Sequence, residues 1–160
     1  MPTFDITSEF NTQEITNAVD QAYREIVNRY DFRDTGTNIE FNEQTITLKS
    51  STEERLKAAE QVLKEKFVKR NVSIKFLSDI KIEKTPSEIK HFYHLTSGIT
   101  QEESKKIISL IKKDFKKAQC AYQNQSIRVS AKKRDELQNI IQLVKNSDID
   151  TPINFGNFRD

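Results

Sequence analysis

The sequence has few of the residues on which several kinds of functional site depend. Its 160 residues include one cysteine, three glycines, three prolines and no tryptophan. The single cysteine, Cys120, excludes an internal disulfide and a zinc site built on cysteines. With Gly36, Gly98 and Gly156 as the only glycines, neither GxxxxGK[ST] nor GxGxxG occurs, which excludes a P-loop and a Rossmann dinucleotide site. No signal peptide and no long apolar run is present, so we expect a cytoplasmic protein without a membrane span.

The histidines, the cysteine and the carboxylates do not form a recognisable catalytic or metal-binding group. His91 and His94 lie three residues apart in a predicted strand, where side chains alternate between faces, so they cannot hold one metal ion. Cys120 shares a predicted strand face with Ala118 and Tyr122, as a buried structural thiol does. No acidic residue lies in an apolar context that would raise its pKa for acid-base work. The sequence therefore predicts a protein that is not an enzyme and has no metal or cofactor.

Apolar periodicity divides the chain into two halves with the same order of elements. The first half contains a strand at 3–7, a capped helix at 11–30, a hairpin at 39–48, a capped helix at 51–67 and a strand at 72–76. After a break at Thr85-Pro86-Ser87, the second half contains strands near 89–95, 118–122, 127–129 and 153–155, and capped or amphipathic helices from 100 and 132. Each half is βαββαβ. We therefore predict an α+β protein of two tandem ferredoxin-like sandwiches with antiparallel sheets, divided into domains 1–86 and 87–160.

Positive charge is concentrated in local runs, because Lys and Arg exceed Asp and Glu by only 26 to 24. Lysines line the predicted third helix and its exit: Lys105, Lys106, Lys112, Lys113, Lys116 and Lys117. Lys132, Lys133 and Arg134 open the predicted fourth helix, where cations oppose the helix dipole. A phosphate partner would account for that second run. A solvated surface patch accounts for it equally well.

A βαββαβ sheet leaves one face uncovered, and such faces often bind single-stranded nucleic acid through exposed aromatic rings. The outward residues predicted after the two hairpins are Thr47, Lys49, Arg128 and Ser130, with no ring among them. Lys75 is expected on the first sheet face as well. Such polar faces can bind phosphates and base edges, but a sheet face that is only exposed to solvent would have the same composition.

Several long stretches resemble the YajQ family of bacterial nucleotide-binding proteins. They are PTFDITSE, NAVDQAYREIVNRYDFRDT, SIRVSAKKRDELQ and the terminal FGNFRD, in the family's order over nearly the whole chain. The resemblance implies two ferredoxin-like domains that exchange their first strands, near 3–7 and 90–96. It also implies nucleotide binding, with GTP, cyclic di-GMP and RNA as ligand classes, and a regulatory, protein-interacting role.

The resemblance also suggests a use for the triplet Phe-Arg-Asp, which occurs at Phe32–Asp34 and again at Phe158–Asp160. If the first strands are exchanged, both triplets could meet at the domain junction, where Phe32 and Phe158 would pack. Alternatively, the two phenylalanines only pack in the protein interior, and the charged residues beside them are exposed to solvent. The expected nucleotide-binding residues are Arg33, Arg128, Lys132, Arg134 and Arg159.

Two other functions stay open. One is binding of structured RNA such as tRNA through the open sheet face and the lysine-lined helix, with Lys105, Lys106, Lys112, Lys113 and Lys116. The other is a protein-interaction adaptor that holds its partner through the open sheets.

Overall fold

The computed structural model describes residues 1–160, with four α-helices, eight strands and two short 3-10 helices. The helices are α1 (Thr12–Asn28), α2 (Glu53–Lys69), α3 (Gln101–Asp114) and α4 (Arg134–Lys145). The strands are β1 (Thr3–Thr7), β2 (Asn38–Asn42), β3 (Thr45–Ser50), β4 (Ile80–Lys84), β5 (Ile89–His94), β6 (Gln119–Gln123), β7 (Ser126–Ser130) and β8 (Asn154–Arg159). The 3-10 helices are Tyr30–Phe32 and Ile74–Leu77. None of the four helices combines the length and the apolar character needed to cross a membrane.

The strands form two antiparallel sheets, which confirms the predicted pair of ferredoxin-like α+β sandwiches. Sheet one has the order β6-β7-β1-β8 and sheet two the order β2-β3-β5-β4. The chain divides accordingly into unit one, residues 1–9 with 97–160, and unit two, residues 10–96. β1 therefore lies in the sheet of the second half, and β5 in the sheet of the first half. The origin of this pairing in an exchange between two ancestral domains, and a boundary at residue 86, stay predictions.

Unit two buries one face of α1 and of α2 against the central strands β3 and β5. Ile15, Leu63 and Phe67 from the helices are fully buried, as is Tyr93 from β5. Ion pairs at the rim join the two helices: Arg70 contacts Glu14 at 2.9 Å, and Lys66 contacts Glu25 at 2.9 Å. The basic end of α2 is therefore partly neutralised by α1.

Unit one is built around β1, which lies between β7 and β8. Phe4 and Ile6 of β1 are fully buried, together with Ile107 of α3 and Ile140 of α4. The alternation in TFDIT places Asp5, between these two core residues, on the opposite face of the sheet. A central strand that supplies two core side chains makes the first residues of the chain essential to this unit.

The predicted strand at 72–76 is wrong. Residues Ile74–Leu77 form a 3-10 helix in which the Ser73 side chain accepts a hydrogen bond from Lys75 N at 3.2 Å. Phe76 and Leu77 are both buried, which strict strand alternation does not allow. The strand of this region is β4, whose five residues are all exposed at the edge of sheet two. Lys75 accordingly lies in the 3-10 helix instead of on a sheet face.

Glu103 connects the start of α3 to the segment before β8. Its carboxylate accepts a hydrogen bond from Thr100 N at 2.9 Å, and Glu103 N donates to Thr100 Oγ1 at 3.1 Å. The other carboxylate oxygen accepts from the hydroxyl of Thr151, a buried residue. Burial raises the pKa of Glu103, but the hydrogen bonds outweigh this and hold the pKa below its usual value.

We expect the Glu103→Gln variant to lose about 1 kcal/mol of unfolding free energy near neutral pH, because a neutral amide keeps the capping geometry but accepts weaker hydrogen bonds than the charged carboxylate does. Because the folded-state pKa is lowered, the carboxylate stabilises the fold above the unfolded-state pKa of about 4.3. That contribution is lost as the pH falls through the folded-state pKa. Urea unfolding of unit one, followed by NMR at neutral pH and in acid, checks this. A difference between variant and wild type that does not shrink in acid would contradict it.

Candidate functional site

A pocket of about 300 Å³ in unit one brings together the end of the chain and the start of α4. Its lining residues are Pro2, Thr3, Arg134, Leu137, Gln138, Phe158, Arg159 and Asp160. Three of the residues singled out from the sequence are therefore close together here: Arg134, Phe158 and Arg159. The pocket is lined by two arginines and one aromatic ring within a single unit.

A β-bulge in β8 positions the aromatic ring. Thr3 pairs with Arg159 and Asp5 with Gly156, so two residues of β8, Asn157 and Phe158, lie opposite Phe4 alone. Asn157 takes up the irregularity with a left-handed backbone, φ +54°. The Phe158 ring stacks on Phe4 with centroids 6.0 Å apart and remains 56% exposed. The Phe158 ring thus packs on the core through Phe4, and the rest of the ring is open to solvent.

The start of α4 carries positive charge and lacks a side-chain cap. Lys133 is the N-cap residue and makes no side-chain hydrogen bond to the first-turn amides. Arg134 donates from Nε to Asp160 Oδ1 at 2.6 Å and also contacts Oδ2. These hydrogen bonds raise the pKa of Arg134 and lower that of Asp160. Asp160 shows that an oxyanion fits against this guanidinium at the mouth of the pocket.

Arg128 lies on the open face of sheet one and is engaged by Asp5. Its Nε donates to Asp5 Oδ1 at 3.0 Å, and Asn157 Nδ2 donates to Asp5 Oδ2 at 2.7 Å. Burial raises the pKa of Asp5, but the hydrogen bonds and the charges of Arg128 and Arg159 outweigh this, so its pKa lies below the usual value. A small pocket of about 120 Å³ adjoins this pair. Arg128 is therefore fixed on the sheet and already has an anionic partner.

The remaining predicted nucleotide contacts are exposed. Lys132 precedes α4 and has no hydrogen bond or ion pair from its side chain, and the same holds for Arg33 in unit two. Phe32, beside Arg33, is 5% exposed in the core of unit two, with the guanidinium of Arg29 4.9 Å from its ring centroid. The two Phe-Arg-Asp triplets thus differ, since Phe158 is exposed. Their meeting at a domain junction stays a prediction.

The lysine-lined helix predicted for RNA is α3 and its exit. Lys105, Lys106, Lys113 and Lys116 are exposed. Lys112 is different, because its Nζ donates to the carbonyl of Ala118 at 2.5 Å and ties the helix end to the start of β6. Four of the five lysines thus present their charge without such a backbone contact.

The sequence reasoning missed Phe92 on the open face of sheet two. Phe92 lies on the central strand β5 opposite Thr47 and Lys81, and it is only partly buried. On the same face, Lys49 of β3 lies directly opposite Lys90 of β5. Like charges directly opposite each other destabilise a sheet. Alternation in β5 could have indicated this position, because His91 and Tyr93 face the core and Phe92 between them faces outward. The sequence did not show, however, that β5 is a central strand of sheet two.

The histidines and the cysteine do not form a reactive group. His91 lies on the core face of β5, 3.4 Å from the hydroxyl of Tyr93, which donates to Glu60. His94 lies on the opposite face of the strand. Cys120 is half-buried against the core of unit one, and burial raises its thiol pKa. No three His, Cys, Asp or Glu side chains are grouped so as to hold a metal ion.

Similarity to known proteins extends over nearly the whole chain. The family model described as nucleotide-binding protein YajQ-like matches residues 2–159. A nucleotide-binding protein of Trichodesmium erythraeum is 45% identical over 157 residues, 98% of this chain and 96% of that protein. One from Parafrankia is 43% identical over 159 residues, 99% of this chain and 98% of that protein. One from Coxiella burnetii is 42% identical over 163 residues and the full length of both. All three are named as binding proteins and not as enzymes.

Proposed function

The chain belongs to the YajQ-like family of nucleotide-binding proteins, and from this we propose that it binds a nucleotide, without catalysis, in the pocket between β8 and α4. The base stacks on Phe158, and the phosphates are held by Arg134 and Arg159. The expected ligands are GTP or cyclic di-GMP, and the expected role is a regulatory one in the cytoplasm.

The observation that carries this proposal is the presence of an exposed ring, packed on Phe4, in a pocket that two arginines line. Nucleotides present a π-face and a phosphate, and aromatic stacking and arginine are the usual partners of these two groups. Arginine forms paired hydrogen bonds with phosphate oxygens, so no glycine loop is needed. The uncapped amides of α4 and the exposed Lys132 and Lys133 add positive potential at the same end.

Asp160 occupies the position of the phosphate when no ligand is bound. Its pairing with Arg134 holds that guanidinium beside another residue of the pocket lining, but the carboxylate must be displaced by an incoming phosphate. Asp160 therefore lowers nucleotide affinity while it preserves the shape of the site. Because Asp160 competes with the phosphate, removing its charge is expected to raise nucleotide affinity.

We expect Arg134→Gln and Arg159→Gln each to weaken nucleotide binding by about tenfold to a hundredfold, the effect of one charge-assisted contact. Asp160→Asn should strengthen binding, because it removes the competing charge and leaves the ring and both arginines. Calorimetric titration with GTP and with cyclic di-GMP, at low and at near-physiological salt, measures these effects. Arg24→Gln, an exposed arginine of unit two outside the pocket, is the matched control.

Retained affinity in both arginine variants would overturn the proposal, and so would weaker binding by Asp160→Asn. Salt separates this site from generic binding, because a compact pocket with few phosphate contacts loses little affinity as salt rises. Should Arg33→Gln abolish binding while both pocket variants retain it, the ligand would be held in unit two instead.

A second candidate function, binding of single-stranded RNA, is favoured by the open face of sheet two. Phe92 offers a ring for a base, and the opposed Lys49 and Lys90 offer a position for a phosphate that would relieve their repulsion. Lys90 also contacts Glu88 at 3.5 Å, and Glu83 lies opposite it on β4. A phosphate would therefore bind on the Lys49 side.

Phe92→Ala is expected to weaken binding of an RNA oligonucleotide by about tenfold, in line with the loss of one stacked base. Fluorescence anisotropy with labelled single-stranded and hairpin RNA measures it. The control is Lys105→Glu with Lys106→Glu on α3. If that control loses affinity and Phe92→Ala does not, RNA is held by the lysine-lined helix.

A further inference from the structure

The edge strand β4 is exposed over its whole length and carries two apolar side chains. Ile80 is 41% exposed and Ile82 is 55% exposed. They lie opposite Tyr93 and His91 of β5, so they belong to the helix-covered face of sheet two but extend past its edge. Lys81 and Glu83 alternate with them and lie on the open face. No side-chain hydrogen bond or ion pair engages Lys81, Glu83 or Lys84.

The backbone of β4 has one free side. His94 N donates to the carbonyl of Asp79 at 2.9 Å, which marks Asp79 and His94 as a hydrogen-bonded pair. Because hydrogen-bonded and non-hydrogen-bonded pairs alternate in an antiparallel ladder, Lys81 and Glu83 turn their N–H and C=O groups toward β5. The N–H and C=O groups of Ile80, Ile82 and Lys84 consequently point away from the sheet, ready to pair with another strand.

The charges on β4 are complementary to a second copy of β4. In an antiparallel pairing centred on Ile82, the Lys81 of each copy lies opposite the Glu83 of the other, and the two Ile82 side chains lie side by side. A pairing centred on Lys81 would bring two lysines together, and one centred on Glu83 would bring two glutamates together. Opposite charges directly across a strand pair are favourable and like charges are not. Among these three registers, charge therefore selects the one centred on Ile82.

We propose that two copies of this chain associate through β4, in that register, to form one continuous eight-stranded sheet. The free N–H and C=O groups of Ile80, Ile82 and Lys84 in both copies pair with each other. Ile82, the more exposed of the two isoleucines, becomes covered by its symmetry mate. Two Lys81–Glu83 pairs flank the symmetry axis, as expected for an isologous interface with twofold symmetry.

The association is weak and depends on concentration. Five residues of edge strand bury less surface than the roughly 1,200 Å² at the lower end of stable interfaces. Lysine on an edge strand usually serves to discourage such pairing. Here Lys81 lies opposite Glu83 and Lys84 lies opposite Ile80, so no like charges oppose the self-pairing in the register centred on Ile82.

The test uses the full-length protein with two single charge reversals, Lys81→Glu and Glu83→Lys. Each places like charges opposite one another at both flanking pairs, and each is expected to weaken self-association by about tenfold or more. A mixture of the two variants restores opposite charges at both pairs and should associate as wild type does. The double variant with both reversals should do so as well. Lys116→Glu, an exposed lysine of unit one, controls for net charge.

Sedimentation velocity up to about 1 mM protein measures the association. Hydrogen exchange identifies the strand, since the amides of Ile80, Ile82 and Lys84 should gain protection with concentration while their neighbours change little. A wild-type chain that stays monomeric up to that concentration overturns the proposal. So does a wild-type dimer that both single variants retain, or a variant mixture that stays monomeric.

Discussion

A chain that lacks residues 1–9 is expected to lose the whole fold of unit one, while unit two stays folded. β1 pairs with β7 on one side and β8 on the other, so its removal breaks sheet one in the middle. The deletion also removes Phe4 and Ile6 from the core. Unit two keeps all four strands of its sheet and its own buried cluster. The loss of nine residues is therefore expected to unfold residues 97–160, which lie far from them in the sequence.

Amide resonances in an NMR spectrum measure this outcome unit by unit. Residues 10–96 should give dispersed, exchange-protected signals in the truncated chain, and the signals of residues 97–160 should collapse to the unfolded region. A synthetic peptide of residues 1–9 should restore the dispersed signals when it is added in excess. Native signals from residues 97–160 without the peptide would contradict the central position of β1. Removal of Met1 alone, which precedes the strand, is the control.

The Phe4→Ala variant is expected to lose about 3–5 kcal/mol of the unfolding free energy of unit one, the usual cost of emptying a phenylalanine site in a core. Phe4 is fully buried, and both Phe155 and Phe158 have ring centroids 6.0 Å from its own. Phe158→Ala should cost less than about 1 kcal/mol, because its ring is mostly exposed and surface changes have small effects.

The two variants also separate stability from binding. Phe158→Ala should leave unit one folded but remove the surface on which a base would stack, so nucleotide affinity falls at nearly unchanged stability. Denaturant unfolding of unit one and calorimetric titration of the same samples make the comparison. Equal losses of stability in both variants would show that the exposed part of the Phe158 ring is not available for a ligand.

Local patterns predicted most of the elements because local physics determines them. All four helices were found from apolar spacing and from caps such as Asn11 and Thr100, whose side chains accept the expected amide hydrogen bonds. Both hairpins were found from alternation, although their turns use Glu43-Gln44 and Asn124-Gln125, all with positive φ, where glycine is commoner. At 72–76 alternation misled, because Val72 and Phe76 are buried but Ile74 between them is exposed at the start of a 3-10 helix.

Pairings between distant residues left no periodic signal. Nothing in TFDIT or IKHFYH indicates which sheet each strand joins; only the family resemblance suggested it. The lining of the candidate pocket was foreseen only in part for the same reason. Arg134 and Arg159 were chosen for their charge and do line one pocket, whereas the attachment of Lys112 to Ala118 and the outward position of Phe92 depend on tertiary contacts.

The central place of β1 in sheet one affects how the protein folds during its synthesis on the ribosome. Phe4 is synthesised 125 positions before its partner Val129, by their numbering. At about 5–20 residues per second, the strand waits roughly 6–25 s for its neighbours, during which both of its edges are unpaired. Unit two can complete its fold within that interval. The nascent chain therefore carries a folded unit two and an unpaired hydrophobic strand β1, a state in which chaperone binding near residues 3–7 would be most useful.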